Sequence, residues 1–531
     1  MRKTYGPDYP RTLTALTAWS RRDAAAPVVT DAGVTFDRDA FQDRVLRIAA
    51  GLHRAGIGPG ARVGLWLPNG IGYLAAIFAC ARLGALAVHI NTRFRTAEIG
   101  NLLRRSRARA LVTQWGFAPV DFPAIFAALP AEDRAELRCV LGLHIPPGVT
   151  ELAGLPAMPL DGAPADAGPD EAAGDAPCLT FTTSGTTGGP KLVVHDQQTI
   201  AAHAVDVARG IGLDGADAAL LGTLPFCGTF GNVVALAAIA GGAHIVGLAQ
   251  FDAAEAVRLI RRHRITHVIG GDDMFARIAA ASGARRFDTV RFSGFAAFHS
   301  TTAAAIAAAE AIGMQPRGLY GSSEVQALFA VAQGENRLLG GGIPVSPQAE
   351  VEVRDPHTGQ ALPLGASGEL WINAPSRFVK YLENPAATER AFDADGWFRT
   401  GDLGRLTERG FIYEARMGDA MRLGGFLVAP EEIEAVIQAL PGVAGVQVVA
   451  ATGRGDPVPV AFVQPADGTN LDAAAVRAHC LQQLARFKVP ARIVLVDAFP
   501  VVDSPNGPKV QRVRLREMAE ALLRDAGSHP P

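Results

Sequence analysis

Residues 178–195 read CLTFTTSGTTGGPKLVVH, and its two apolar ends enclose a segment of a different kind. From Thr182 to Lys191 there are four threonines, one serine, three glycines, a proline and a lysine. Glycines free a backbone to wrap an anion, hydroxyls and amide N–H groups donate to its oxygens, and Lys191 adds a positive charge. The stretch reads as two strands joined by an anion-holding loop suited to a polyphosphate. It is not the helix-opening phosphate loop, which needs Gly-Lys-Ser/Thr; here Pro190 precedes Lys191 and the strand former Leu192 follows it.

Working outward, the flanking chain alternates strands and helices. From Val63 to Ile90 an apolar strand leads through Pro68-Asn69 into an Ala-rich helix with Tyr73, Ile77 and Phe78, then Gly84 and a second strand. The same order recurs around GLLGTLPF and HIVGL, and again where the helix from Ala253 to His263 feeds THVIGG. Such alternation predicts a layered α/β architecture. Between Pro159 and Pro177 lies a connector rich in Pro, Gly, Asp and Ala. From about Gly340 short strands and turns predict an antiparallel β subdomain. After Arg416, the segments PEEIEAVIQAL and LDAAAVRAHCLQQL read as helices, and VAGVQVVAA, PVPVAFVQ and ARIVLV as strands. The expected organisation is a large layered N-terminal domain, residues 1–416, and a small mobile α+β C-terminal domain, residues 417–531.

Composition agrees and excludes several function classes. The 531 residues are 49% hydrophobic and 19% charged, enough to bury a large core and too apolar for disorder. Fifty basic residues nearly balance 52 acidic ones, leaving a net charge of -2, so no broad field attracts nucleic acid or an anionic membrane. Five cysteines without close pairs predict neither a disulfide framework nor a zinc cluster, which implies a reducing compartment. The N-terminus carries Gly, Pro and Asp where a secretory signal needs an apolar run, so a cytoplasmic protein is expected. The longest stretch free of Asp, Glu, Lys and Arg, Ala218 to Phe251, is broken by Pro225, Asn232, His244 and six glycines, against a membrane span. His263 and His267 lie on a run crossing from helix to strand with no acidic or sulfur ligand nearby, against zinc.

The segment TFTTSGTTGGPK resembles the phosphate-binding signature of the adenylate-forming enzymes: acyl-CoA synthetases, luciferases and peptide-synthetase adenylation domains. Further resemblances follow in the family's order. LYGSSE (Leu319 to Glu324) is similar to the adenine and magnesium segment, GWFRTGDLG (Gly396 to Gly404) to the ribose segment, ARMGDAMRLGGFLVAPEEIE (Ala415 to Glu434) to the interdomain hinge, and NGPKVQR (Asn506 to Arg512) to the segment with the adenylation lysine. The resemblance runs from about Thr12 to Met518, nearly the whole chain, which looks most like an acyl-CoA synthetase.

What the resemblance implies can be set out residue by residue. Thr183, Ser184, Gly185, Thr186, Thr187, Gly188 and Lys191 hold ATP phosphates, with Thr187 also counted among the catalytic residues. Tyr320 stacks on adenine beside Gly321, Ser323 donates to the α-phosphate, and Glu324 is the Mg2+ ligand, a hard oxygen of the kind magnesium accepts. Asp402 accepts from the ribose hydroxyls, and Arg416 holds ribose and phosphate oxygens as a planar donor fork. Lys509 neutralises the attacking carboxylate and the pentavalent phosphate. The family usually places that lysine directly after a glycine, whereas Pro508 intervenes here. Gly418 stands where the family has Asp or Lys as the hinge pivot, and glycine absorbs backbone rotation freely. Gly424, Gly425 and Phe426 resemble the loop of the pantetheine tunnel.

The acid substrate is read from two segments. LPFCGTFGN (Leu224 to Asn232) has Cys227 where many relatives have histidine, and offers no Asp to hold an α-ammonium, which disfavours an amino acid. FSGFAAF (Phe292 to Phe298) resembles the family's Gly-Gly-Ala-Pro loop. Phe226, Cys227, Phe230, Phe295, Ala296, Phe298 and Leu328 are the expected acyl-pocket lining, with some of the phenylalanines alternatively in the core. Cys227 has no adjacent base and reads as a lining residue, not a nucleophile. The expectation is an ATP- and Mg2+-dependent acid:CoA ligase for a fatty, alicyclic or aromatic acid, working through acyl-AMP with coenzyme A as co-substrate. The alternatives are loading of a separate carrier-protein thiol, and a nucleotide-binding relative without turnover. A homodimer is compatible with either.

Overall fold

The computed structural model describes residues 3–20, 23–160, 166–183, 191–283, 285–296, 302–417, 421–423, 426–428, 430–452, 457–484, 486–504 and 507–526. Their organisation follows from where the apolar runs can be buried. Arg62–Leu65 and Leu86–His89 are parallel strands joined by the helix Ile71–Arg82, which is apolar all round and buried along almost its whole length. They lie inside a nine-stranded sheet whose order runs from Lys380–Tyr381 through Leu192–Asp196, Pro177–Thr182, Leu86–His89 and Arg62–Leu65 to Ala110–Gln114 and beyond. Strands covered on both faces read as continuous apolar runs, and Leu86–His89 is buried at every position.

A second sheet has thirteen strands, and its two halves differ in direction. Pro27–Asp31, His244–Gly247, Ala219–Gly222, His267–Gly271, Phe292–Ala296 and Pro316–Tyr320 run parallel. From Pro316–Tyr320 onward the pairing turns antiparallel, through Ala330–Val331, Gly341–Pro344, Gly410–Arg416 and Phe398–Thr407 to Ser367–Asn373 and Glu350–Arg354. The expected antiparallel subdomain is therefore hydrogen-bonded into the edge of the parallel sheet. Local signals stop and start its helices. Gln197–Ile211 is capped by Asp196, which accepts from the Thr199 amide, and ends at Gly212 with φ of +80°. Only glycine enters that left-handed region without steric cost.

The described residues from Met421 onward form their own cores. Val443–Ala451 pairs antiparallel with Val458–Pro465, which pairs in parallel with Arg492–Leu495, and helices Pro430–Gln438, Ala473–Gln483 and Arg512–Ala526 accompany them. Two apolar clusters there draw all their fully buried members from Met421 to Ala519, whereas the other four draw theirs from Leu13 to Phe411. The α/β class, with a large first unit and a smaller second one, is as the sequence led one to expect.

Candidate active site

The two ends of the signature segment lie on paired strands. Strands Pro177–Thr182 and Leu192–Asp196 are antiparallel with Leu192 opposite Thr182, and the base is closed by the Thr183 amide donating to the Lys191 carbonyl at 2.9 Å. The Lys191 amide donates back to Thr183 Oγ1 at 3.3 Å. Ser184, Gly185, Thr186, Thr187 and Gly188 lie outside the described residues. On its other side Leu192–Asp196 pairs with Lys380–Tyr381, placing Val193 opposite Tyr381.

Tyr381 is a site residue that the sequence reading missed. Its hydroxyl donates to Glu324 Oε1 at 2.9 Å, and the Lys191 ammonium stands 4.7 Å from the centre of its ring. The Phe378 amide donates to the Glu324 carbonyl at 2.7 Å, so one short segment grips Glu324 by main chain and side chain. Burial and the neighbouring Glu324 carboxylate push the Tyr381 phenol well above its ordinary value, so it remains a hydrogen-bond donor.

Glu324 itself lies in a tight turn after Tyr320. A Cβ at Gly321 would stand 1.9 Å from the Ala327 carbonyl oxygen, so only glycine lets the chain double back there. Gln326 and Ala327 follow with φ of +66° and +51°, both uncommon for non-glycine residues. The Gln326 side-chain amide pins the turn by donating to the carbonyls of Thr199 (3.0 Å) and Ser376 (3.1 Å). Ser323 is held twice: its hydroxyl is 2.8 Å from Thr229 Oγ1 and its carbonyl is 2.7 Å from His195 Nε2.

Asp402 follows Gly401, whose φ is +70°, and stands directly opposite Arg416 on the neighbouring antiparallel strand. Arg416 Nη1 donates to Asp402 Oδ1 at 2.5 Å, and the Tyr320 hydroxyl donates to Oδ2 at 2.7 Å. Burial raises the Asp402 carboxyl above its ordinary value, opposed by the Arg416 charge and the two hydrogen bonds. The Tyr320 ring meets Phe411 edge-on with centroids 5.0 Å apart. The Arg416 side chain is about half exposed (47%), whereas Asp402 is buried.

The acyl segment is fixed by Asn69, whose amide donates to the Leu224 carbonyl (2.7 Å) and accepts from the Phe226 amide (2.8 Å). Phe226, Cys227, Phe230 and Leu328 are buried in one apolar cluster with Tyr73, and Ala296 packs against it. Burial pushes the Cys227 thiol up to about 11, so it is neutral at ordinary pH. Phe295 lies apart from this cluster. Along Phe292–Ala296 the side chains alternate, so Phe292 and Ala296 join the Phe226 cluster while Phe295 packs into another cluster against Phe275, at 6.3 Å. It is buried on the face of the sheet opposite Phe292 and Ala296. Phe298, Gly418, Gly424 and Gly425 lie outside the described residues, and Phe426 is described only by its strand Phe426–Val428.

Lys509 stands on the hairpin Val501–Ser504/Gly507–Val510, opposite Val502, and burial lowers its pKa. His263 and His267 are separated: His263 faces the His244 ring at 5.8 Å, while His267 Nε2 lies 2.8 Å from the Ile211 carbonyl. Among the described residues no three His, Cys, Asp or Glu side chains gather as a metal cluster. A single carboxylate nevertheless suits Mg2+, which keeps several waters and binds through one or two carboxylates and substrate phosphates. Glu324 fits that pattern, since its Oε1 is oriented by Tyr381.

The model of the AMP-binding enzyme family matches residues 16–382, and that of the family's C-terminal domain matches 432–504. The chain belongs to the AMP-binding enzyme family. A methyl-dioxo-octahydroindenyl-propanoyl:CoA ligase of Mycobacterium tuberculosis is 31% identical over 91% of this chain and 94% of its own. The fatty acid–acyl-carrier-protein ligase ScoC of Streptomyces coeruleorubidus is 30% identical over 96% of each. Among solved structures, ATP-bound MatB from Rhodopseudomonas palustris superposes with a TM-score of 0.82 at 25% identity, covering 97% of this chain and all of that one. As an AMP-binding enzyme the chain is an adenylate-forming ligase of the acid:CoA ligase group. No helix among the described residues is long and apolar enough to cross a membrane.

Proposed function

We propose that this AMP-binding enzyme is an ATP- and Mg2+-dependent acid:CoA ligase for an apolar carboxylic acid. The observation that carries the reading is the wiring of four signatures: Lys191 and Glu324 meet through Tyr381, and Tyr320 meets Arg416 through Asp402. In the first step a carboxylate oxygen of the acid attacks the α-phosphorus of ATP, the bond to the β-phosphate oxygen breaks, and pyrophosphate leaves. In the second the thiol sulfur of CoA loses its proton, attacks the acyl carbonyl carbon, and AMP leaves. Bringing a carboxylate to a polyphosphate joins two anions, so the chain must supply positive charge and donors where they meet.

The residues divide that work. Thr183 and Lys191, with Ser184, Gly185, Thr186, Thr187 and Gly188, wrap the phosphates; Tyr320 and Gly321 border the adenine, and Ser323 donates to the α-phosphate. Asp402 takes the ribose hydroxyls, and Arg416 reaches from it to ribose and phosphate oxygens. Glu324 holds Mg2+, which when bound supplies charge neutralisation at the phosphate oxygens. Lys509, on the second unit, brings its ammonium to the developing pentavalent phosphate, and its lowered pKa reflects the desolvation that such a role needs. Residues 1–416 form the adenylating domain and 417–531 the lid, with Gly418 as pivot and Gly424, Gly425 and Phe426 along the CoA path.

Phe226, Cys227, Phe230, Leu328 and Ala296 line the acyl side. Their buried, uncharged character supports a fatty, alicyclic or aromatic acid, whose apolar surface contributes about 25 cal/mol per Å² on burial. The likeness to ScoC supports a second reading, transfer to a carrier-protein thiol. The five buried free thiols accord with a reducing, cytoplasmic setting. The test is thioester formation from ATP across a panel of apolar and polar acids, with CoA or a holo carrier protein as acceptor. Turnover of apolar acids with CoA supports the proposal; turnover only with the carrier protein moves it to the second reading, and turnover only of polar acids rejects the pocket assignment.

A further inference from the structure

Lys380–Tyr381 is a strand of two residues, yet it touches both charged groups of the phosphate side of the site. Its backbone is fixed from several directions: Val379 and Leu382 amides donate to the Val194 and Leu192 carbonyls at 2.8 Å each, and the Tyr381 amide donates to Thr388 Oγ1 at 3.0 Å. The Tyr381 ring is 5% exposed and packs against Phe378 with centroids 4.7 Å apart. The side chain is thus rigid, and it presents its hydroxyl to Glu324 and its face to Lys191.

We propose that Tyr381 is a positioning residue for the adenylation step: its hydroxyl orients the Glu324 carboxylate for the metal, and its ring holds the Lys191 ammonium beside it until the phosphates arrive. This rests on the reading of Glu324 as the Mg2+ ligand. The hydroxyl occupies Oε1 and so directs the remaining electron pairs of the carboxylate. Mg2+ demands near-ideal octahedral geometry, so a carboxylate fixed in one rotamer binds it better than a swinging one. The ring contact is worth little in itself and leaves Lys191 free to transfer to phosphate, while keeping it from closing an ion pair with Glu324.

The test compares Tyr381→Phe, which keeps the ring and loses the hydroxyl, with Tyr381→Leu, which loses both, in parent and Glu324→Gln backgrounds. Binding of ATP is followed by calorimetry over a range of Mg2+ concentrations with no acid present, alongside thermal unfolding. Tyr381→Phe is expected to unfold at the parent's temperature but to need about 10-fold more Mg2+ for half-maximal tight binding, as loss of a hydrogen bond to a charged group implies. Tyr381→Leu is expected to weaken ATP binding by a further factor of about 3 at saturating Mg2+. In the Glu324→Gln background, Tyr381→Phe should shift the Mg2+ requirement less than about 2-fold, because the carboxylate that the hydroxyl orients for the metal is already gone. A parent-like Mg2+ requirement in Tyr381→Phe, or the same shift in both backgrounds, overturns the proposal. A Glu324→Gln protein with the parent's Mg2+ requirement removes the metal reading beneath it, a distinct failure.

Discussion

Lowering the pH from 7.5 to 5 is expected to weaken the large unit by about 2 kcal/mol through each of two buried histidines. His89 and His203 are 2% and 0% exposed, and burial pushes each imidazole from 6.5 down to about 3, with His195 adding to the effect at His203. The Tyr73 hydroxyl lies 2.5 Å from His89 Nδ1, and His203 lies beside the Gln326 and Leu328 backbone, under the turn that carries Glu324. The folded pKa values are depressed, so the unfolded chain takes up protons first. Stability is complete above about 6.5 and is lost as pH falls toward about 3. Each pH unit costs about 1.4 kcal/mol per group, and the roughly 1.5 units between 6.5 and 5 give about 2 kcal/mol each, about 4 for the pair. The assay is urea unfolding followed by tryptophan fluorescence at both pH values, in the parent and in His203→Gln, whose side-chain amide can still reach the neighbouring backbone. The variant should lose about half of the pH-dependent difference. An unchanged difference in His203→Gln refutes the assignment, because His203 then titrates alike in both states.

Three further outcomes are expected. Lys509→Ala should lose adenylation by about 10²- to 10³-fold, the usual cost of removing one preorganised charge donor, yet convert supplied acyl-adenylate and CoA at a near-parent rate; loss of both steps alike assigns the lysine a structural part. Cys227→Ala should keep adenylation within about 3-fold and the parent should resist iodoacetamide at pH 7, since a thiol titrating near 11 is neither nucleophile nor ready target. Arg416→Met should raise the KM for ATP about 10-fold and cost about 2 kcal/mol of stability, because the buried Asp402 carboxylate loses its charged partner and keeps only the Tyr320 hydroxyl; an unchanged KM makes Arg416 a structural ion pair.

Much of the fold was legible because burial writes itself into local pattern. The Val63–Ile90 unit shows its strands as unbroken apolar runs and its helix as an Ala-rich block, and the residues after Arg416 alternate strands and helices with clear boundaries. The junction of the parallel and antiparallel halves was not legible. It depends on Pro316–Tyr320 pairing with Ala330–Val331, a matter of backbone hydrogen bonds that side-chain identity scarcely constrains. Phe295 shows how strand alternation bears on a reading made from composition. It adjoins Ala296, and successive side chains in a strand point to opposite faces, so the two do not share one face of the sheet. Asp402 and Arg416 were legible through their motifs, and the register that pairs them accounts for both. Tyr381 gave no signal in KYLENP, since its partners lie 57 and 190 positions away in the chain, and only the folded sheet brings them to one ring.

The most direct test of the account is exchange of labelled pyrophosphate into ATP, with acid and Mg2+ present and CoA absent. Reversible acyl-AMP formation requires that exchange and needs no thiol. The account predicts exchange that depends on an apolar carboxylic acid, stops when Mg2+ is chelated, and falls by at least about 10²-fold in Lys509→Ala. Release of inorganic phosphate with ADP in place of pyrophosphate exchange, or tight ATP binding with no exchange for any acid tried, would contradict it.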